Sequence, residues 1–201
     1  MFRAPRSTRA IRTRVENPEE INEVFDAIAY QKTAAVLRTI ETFVGPDLFR
    51  KGVASYLRTF SYTNAAGEDF WTHVARATGK PVDRIMKPYI EQPGVPAVSV
   101  TAQCTGSTTT IALHQEPFVG MPGAAPSPAQ PLWTIPVCFK TPGASAPRCE
   151  VLDRRQQRAS LASCSTSVFA NPNGRGYYLS AYSPEGVREL ARTARTSLAA
   201  P

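Results

Sequence analysis

The chain has 201 residues, room for one large domain or two small ones, and 42% of them are hydrophobic, enough for a folded core. Its net charge of +7 is carried largely by Arg3, Arg6, Arg9, Arg12 and Arg14 at the start and Arg188, Arg192 and Arg195 near the end. Neither cluster is interleaved with base-stacking aromatics, so no nucleic-acid partner is expected beyond weak nonspecific attraction.

The first segment, MFRAPRSTRAIRTR, has arginines but no apolar h-region and does not read as a secretory signal. Residues 17–91 read as helices. Asn17 suits an N-cap, Pro18 a first turn, and Glu20 completes a capping-box-like pattern. Ile21, Val24, Phe25 and Ile28 form one apolar stripe. A second helix is expected from about Tyr30 to Val44, stopped by Gly45-Pro46. A third spans about Asp47 to Phe60, with Leu48, Phe49, Val53, Tyr56, Leu57 and Phe60 as its buried face. A fourth follows Asn64 with Phe70, Trp71, Val74 and Ala77 and ends at Gly79, and a short fifth runs from Pro81 to about Ile90.

At Gln92-Pro93-Gly94-Val95-Pro96 the pattern changes from helical to alternating, because two prolines and a glycine cannot continue a helix. AVSVTAQC puts Val98, Val100, Ala102 and Cys104 on one face of a strand, and TTTIALHQ follows as its partner. Residues 117–131 form a Pro/Ala/Gly-rich loop, expected to be mobile. LWTIPVCFK, CEVLD, the run near Ala159–Leu161 and SVFANPNGRGYYLSAY supply further strands, for a small antiparallel β-sandwich. From Ser183 the pattern is helical again, with Val187, Leu190 and Leu198 lacking an obvious partner in the chain. No apolar run approaches the length of a membrane span.

Cys104, Cys138, Cys149 and Cys164 all lie in the β part. None forms a C-x-x-C pair, which argues against structural zinc, and their even number permits disulfides in three possible pairings. Disulfides would suit an exported or periplasmic parent protein. The two histidines, His73 and His114, belong to no H-E-x-x-H motif, and no phosphate loop or G-x-S-x-G elbow is present. From the residues alone, Tyr30 is a boundary tyrosine with a packed ring and a wet hydroxyl.

The ordered set Ser7-Thr8-Arg9-Ala10-Ile11, Glu20-Ile21 and Phe25-Asp26-x-Ile28-x-Tyr30-x-Lys32 resembles the zinc aminopeptidases of the aminopeptidase N family, the gluzincins. FWTHVARATGKPVDRIMKPYIEQPGVPAVSV resembles that family's passage from catalytic domain into β-sandwich, and LWTIPVCFK and FANPNGRGYYLSAY its sandwich strands. The resemblance covers nearly the whole chain. It implies an α+β multidomain fragment. Residues 1–92 would be the helical C-terminal part of a thermolysin-like catalytic domain, 93–182 a β-sandwich, and 183–201 the start of a truncated C-terminal helical domain.

The resemblance also implies a parent enzyme that hydrolyses N-terminal residues from peptide substrates with a zinc ion. The zinc ligands, the general base and the substrate-amine motif are expected upstream of this chain, so the chain alone is expected to be inactive. Its partners would be peptide substrates, the upstream catalytic half and the C-terminal helical domain. Tyr30 matches the family's tyrosine that donates a hydrogen bond to the oxyanion of the tetrahedral intermediate, as a neutral phenol can. Lys32 is expected to be a positioning or solvent-facing residue. Thr33 stands where the family has glycine, and its side chain is expected to crowd a helix contact or shift the tyrosine. The alternative from another class is a non-catalytic scaffold or interaction protein built from the same domains.

Overall fold

A computed structural model describes residues 9–119 and 131–197. Arg3, Arg6, Ser7, Thr8, Leu198 and most of the Pro/Ala/Gly-rich loop lie outside them. The chain divides into two compact units between Gly94 and Val95, giving an α+β molecule.

The helical unit contains α1 (Ile21–Val24), α2 (Thr33–Val44), α3 (Pro46–Thr59), α4 (Gly67–Thr78) and α5 (Val82–Glu91). Its core is the apolar stripe of α2 (Val36, Ile40, Phe43 and Val44) together with Val74 of α4 and Val82, Ile85, Met86, Tyr89 and Ile90 of α5. Gly45, at φ 92°, turns the chain between α2 and α3 with nothing for a Cβ to meet. Gly52 has a different reason to be glycine, because a Cβ there would lie 2.8 Å from the Val74 Cα, so α3 and α4 approach backbone to side-chain root. Lys80 lies 4.1 Å from the centre of the Phe43 ring and donates to the Phe43 carbonyl at 2.6 Å, satisfying an end of α2.

Three expectations change in this unit. The first helix is short: a 3-10 turn, Pro18–Glu20, leads into α1, which stops at Val24. Asn17 makes no side-chain cap, and the Glu20 carboxylate accepts instead from the Glu16 backbone N–H and the Asn17 amide. The stripe it was to bury is open, with Ile21 and Phe25 exposed. On α3 only Gly52 is fully buried, and Leu57 points to solvent. Tyr56 and Phe60 of that face instead pack, tilted to each other, in a cluster with Phe70 and His73 of α4, where Tyr56 meets Phe70 and His73, and Phe60 meets His73, edge to face.

The β unit contains β1 (Pro96–Thr105), β2 (Thr108–Pro117), β3 (Ile135–Lys140), β4 (Arg148–Leu152), β5 (Gln156–Leu161), β6 (Phe169–Ala170), β7 (Leu179–Ala181) and α6 (Pro184–Ser197). One sheet has the order β5-β2-β1-β7 and the other β4-β3-β6. The β1–β2 hairpin pairs Thr105 with Thr108, and Gly106 takes the positive φ its turn requires. The first sheet is mixed rather than antiparallel, because β7 runs parallel to β1. The chain reaches β7 from β6 of the other sheet, through the Pro172–Gly174 turn, so the return is not a hairpin.

Val98, Val100, Ile111, Leu113, Ile135, Val137, Phe139 and Leu152 are buried. The one buried amide among them is satisfied: Gln115 donates to the carbonyls of Trp133, Leu152 and Arg154 and accepts from the Trp133 N–H. Disulfides join Cys104 to Cys164 and Cys138 to Cys149, the second across directly opposed positions of β3 and β4. Helix α6 leaves Val187 exposed, as its lack of an apolar partner implied, and Leu198 lies outside the described residues, but the helix has other contacts within the chain. Thr193 shares a hydrogen bond with Ser167, Thr166 donates to Glu189, and Leu190 faces a cleft lined by Val100 and Val168.

Candidate functional site

The segment from Arg9 to Lys32 is organised around Tyr30. Helix α1 ends because Asp26 offers the backbone a better local partner. Its Oδ1 accepts from the N–H groups of Ile28 and Ala29, both at 2.9 Å, the pattern of an N-cap that starts a new helical run at Ala27. Phe25, at φ −85° and ψ 71°, is the break between the two runs.

Asp26 is held in turn by Arg9, whose Nη2 and Nε reach its two carboxylate oxygens at 2.6 and 3.2 Å. The same guanidinium donates to the carbonyls of Ala10, Ile11 and Val24 and to the Thr13 hydroxyl. One arginine therefore ties the incoming strand of chain, the end of α1 and the cap together. The Ala29 and Ile28 N–H groups and the Arg9 guanidinium hold the Asp26 carboxyl below its ordinary range.

The new run does not begin as an α-helix. Residues Ile28–Lys32 form a π-helical turn before α2 proper. Such turns are rare and insert one extra residue, which re-aims the side chains within them. Tyr30 sits in the middle of this turn. It is 62% exposed, and its ring lies 6.1 Å from that of Phe25, also 62% exposed. Lys32 closes the turn and points the other way. It is only 6% exposed, and its ammonium donates to the Gln92 carbonyl at 2.8 Å, sixty residues along the chain. Burial lowers the Lys32 pKa to about 8. Thr33 follows with a buried hydroxyl that has no hydrogen-bond partner among the described residues.

Among the residues singled out by sequence, Lys32 is therefore not solvent-facing. His73 is used structurally: its Nδ1 lies 2.9 Å from the Ser55 hydroxyl within the aromatic cluster. His114 is remote in kind, on β2, lining a shallow polar cleft with Ser99, Gln156 and Arg158. Among the described residues no three His, Cys, Asp or Glu side chains gather where they could hold a metal ion. None of their helices is long and apolar enough to cross a membrane. Sequence reading missed the roles of Arg9 and Asp26. Both stood inside the quoted motif, and the available signal was the Asp two residues before a helical apolar pattern, an ordinary N-cap cue.

Residues 3–89 match the Peptidase family M1 domain. Aminopeptidase N of Canis lupus familiaris is 35% identical over 197 residues, covering 92% of this chain and 20% of that protein. Leucyl aminopeptidase of Saccharolobus solfataricus is 33% identical over 172 residues, 86% of this chain and 21% of its own length. Probable aminopeptidase 1 of Sulfurisphaera tokodaii is 30% identical over 178 residues, 89% and 21% respectively. The chain thus spans about a fifth of the length of the curated relatives it matches.

Proposed function

The chain belongs to peptidase family M1, and from that premise we propose that it supplies the oxyanion-binding tyrosine of a peptide-hydrolysing aminopeptidase. The helical unit is the C-terminal part of the catalytic domain, of thermolysin-like fold. The two sheets form a β-sandwich behind it in sequence, and α6 begins a further helical domain. The substrates are peptides with a free N-terminus, and the parent enzyme removes their first residues.

The family implies a zinc ion. The described residues bring no set of metal ligands together and so do not fit it, and in this reading its ligands come from other parts of the parent enzyme. What this chain contributes is a donor. When the scissile carbonyl becomes tetrahedral, its oxygen gains negative charge, and a neutral phenol fixed nearby stabilises that charge without carrying any of its own. The supporting observation is the pairing of exposure with anchorage: the Tyr30 ring is open to an incoming ligand while the turn that bears it is fastened at Asp26 and at Lys32. The two disulfides support an exported parent, since oxidised cysteines persist outside the reducing cytosol.

The test is Tyr30→Phe in the zinc-loaded enzyme that carries this segment. Loss of one oxyanion donor costs about 10²–10³ in kcat, roughly 2.7–4 kcal/mol, with KM little changed. Equal kcat in two equally stable proteins would refute the assignment.

A further inference from the structure

The Tyr30 turn is pinned at both ends by side chains that no oxyanion role requires. Its start is the Asp26 carboxylate, which takes two backbone N–H groups and is clamped by Arg9. Its end is the buried Lys32, whose reach to Gln92 ties the turn to the last residue before the chain leaves the helical pattern. Between the two lies a geometry that the backbone does not adopt cheaply. A π-turn has poorer hydrogen bonding than the α-helix that follows it, so left alone this stretch would relax toward the α-helical register. Slipping one residue in that register rotates a side chain by about 100° around the helix axis. Tyr30 would then face elsewhere while remaining folded and exposed.

We propose that Asp26, braced by Arg9, and Lys32 are positioning residues that hold the π-helical turn and so set the direction of the Tyr30 hydroxyl. The inference rests on the reading of Tyr30 as the oxyanion donor. It assigns the lysine a purpose that accounts for its burial: an ammonium placed among packed side chains is costly unless its bond matters. It also gives Arg9 a function at a distance, since the guanidinium touches the cap and not the tyrosine. Neither Asp26 nor Lys32 touches the reacting atoms in this scheme.

The experiment is a double-mutant cycle in the zinc-loaded full-length enzyme carrying this segment. Asp26→Ala removes the cap, Asp26→Asn keeps an acceptor oxygen for Ile28 and Ala29, and Lys32→Met keeps the stem and removes the donor. Each is made alone and with Tyr30→Phe. Asp26→Ala and Lys32→Met should each lower kcat by about tenfold to a hundredfold, with KM within about twofold, the scale on which misplacement of a reacting group acts. Asp26→Asn should recover most of the loss. In the Tyr30→Phe background the same substitutions should change kcat by less than about twofold, because the hydroxyl they aim is gone. Full, additive losses in that background would overturn the proposal, since a merely structural role is indifferent to the hydroxyl. Should Asp26→Ala fail to fold, Lys32→Met carries the same cycle. An unimpaired Tyr30→Phe enzyme sinks the donor reading itself, whereas an impaired one with additive double mutants sinks only the positioning roles.

Discussion

Strand β3 and the Tyr30 turn show two ways of treating apolar and aromatic side chains. From Ile135 to Phe139 every residue of β3 is buried, on both faces, and β4 is covalently fastened beside it through Cys138–Cys149. In the helical unit the core lies within α2, α4 and α5, while Ile21, Phe25 and Tyr30 stand open on the segment that precedes α2. The β unit places most of its hydrophobic residues in its own interior, with Phe118, Leu179 and Val187 the large ones left exposed among its described residues. The helical unit keeps a firm back and leaves apolar side chains at its front, around a turn whose position is held by polar contacts. Exposed apolar groups next to a fixed backbone mark a surface built to receive something.

The two units should respond to different perturbations. The largest effect is expected from the cysteines. By loop-closure entropy, Cys104–Cys164, closing sixty residues, is worth roughly 4 kcal/mol, and Cys138–Cys149 roughly 3. Cys104→Ser with Cys164→Ser should weaken amide-exchange protection in β1, β2 and β5 and leave α2, α4 and α5 as they were. Equal loss in both units would break the distinction. Thiol titration of the unfolded, unreduced chain should find no free thiols.

The next effect sharpens the helical side. The Lys32 pKa lies below its unfolded value, so between pH 8 and 10.5 the unfolded chain binds more protons and stability rises with pH. The wild type should gain roughly 3 kcal/mol on Lys32→Met across that window, at 1.36 kcal/mol per pKa unit. Tyr178 and Tyr182, raised by burial, act in the opposite sense above pH 10, but they are common to both proteins and cancel in the comparison. Urea unfolding of both at several pH values measures it, and a flat difference would mean the ammonium is not buried in solution.

Smaller effects probe the packing behind the turn. Gly52→Ala forces a methyl onto Val74 and should cost about 1–3 kcal/mol, read as a lower urea midpoint with unchanged slope. Thr33→Ala removes a buried hydroxyl with no partner among the described residues, at a helical position, and should stabilise the chain by about 1 kcal/mol. A loss on Thr33→Ala would show that the hydroxyl finds a partner in solution.

The helices from α2 onward and the long strands β1, β2 and β3 could be read directly, because period and punctuation agree there: Gly45-Pro46 and Gly79 stop helices, and the proline-glycine run at Gln92–Pro96 separates α5 from β1. Lys32 could not be placed, because what buries it is a carbonyl sixty residues away, and local pattern shows only a charge on an apolar helix. The π-turn was equally hidden. Over five residues its apolar spacing is indistinguishable from that of an α-helix, and its cause is a cap at Asp26 combined with an anchor at Gln92. The short β7 misled for a related reason: three residues fix no direction, and whether they run parallel or antiparallel depends on where the chain returns from.

The cysteine pairs are nested, with residues 138 and 149 inside the span from 104 to 164. A single cut of the backbone anywhere within that span leaves both pieces on one covalent molecule, and a denaturing gel run without reductant would register no smaller product. The same cut in the helical unit, which holds no cysteine, releases two chains at once. To a peptidase sharing its compartment, the span from Cys104 to Cys164 tolerates a single nick without coming apart, and the unit that carries Tyr30 has no such tolerance.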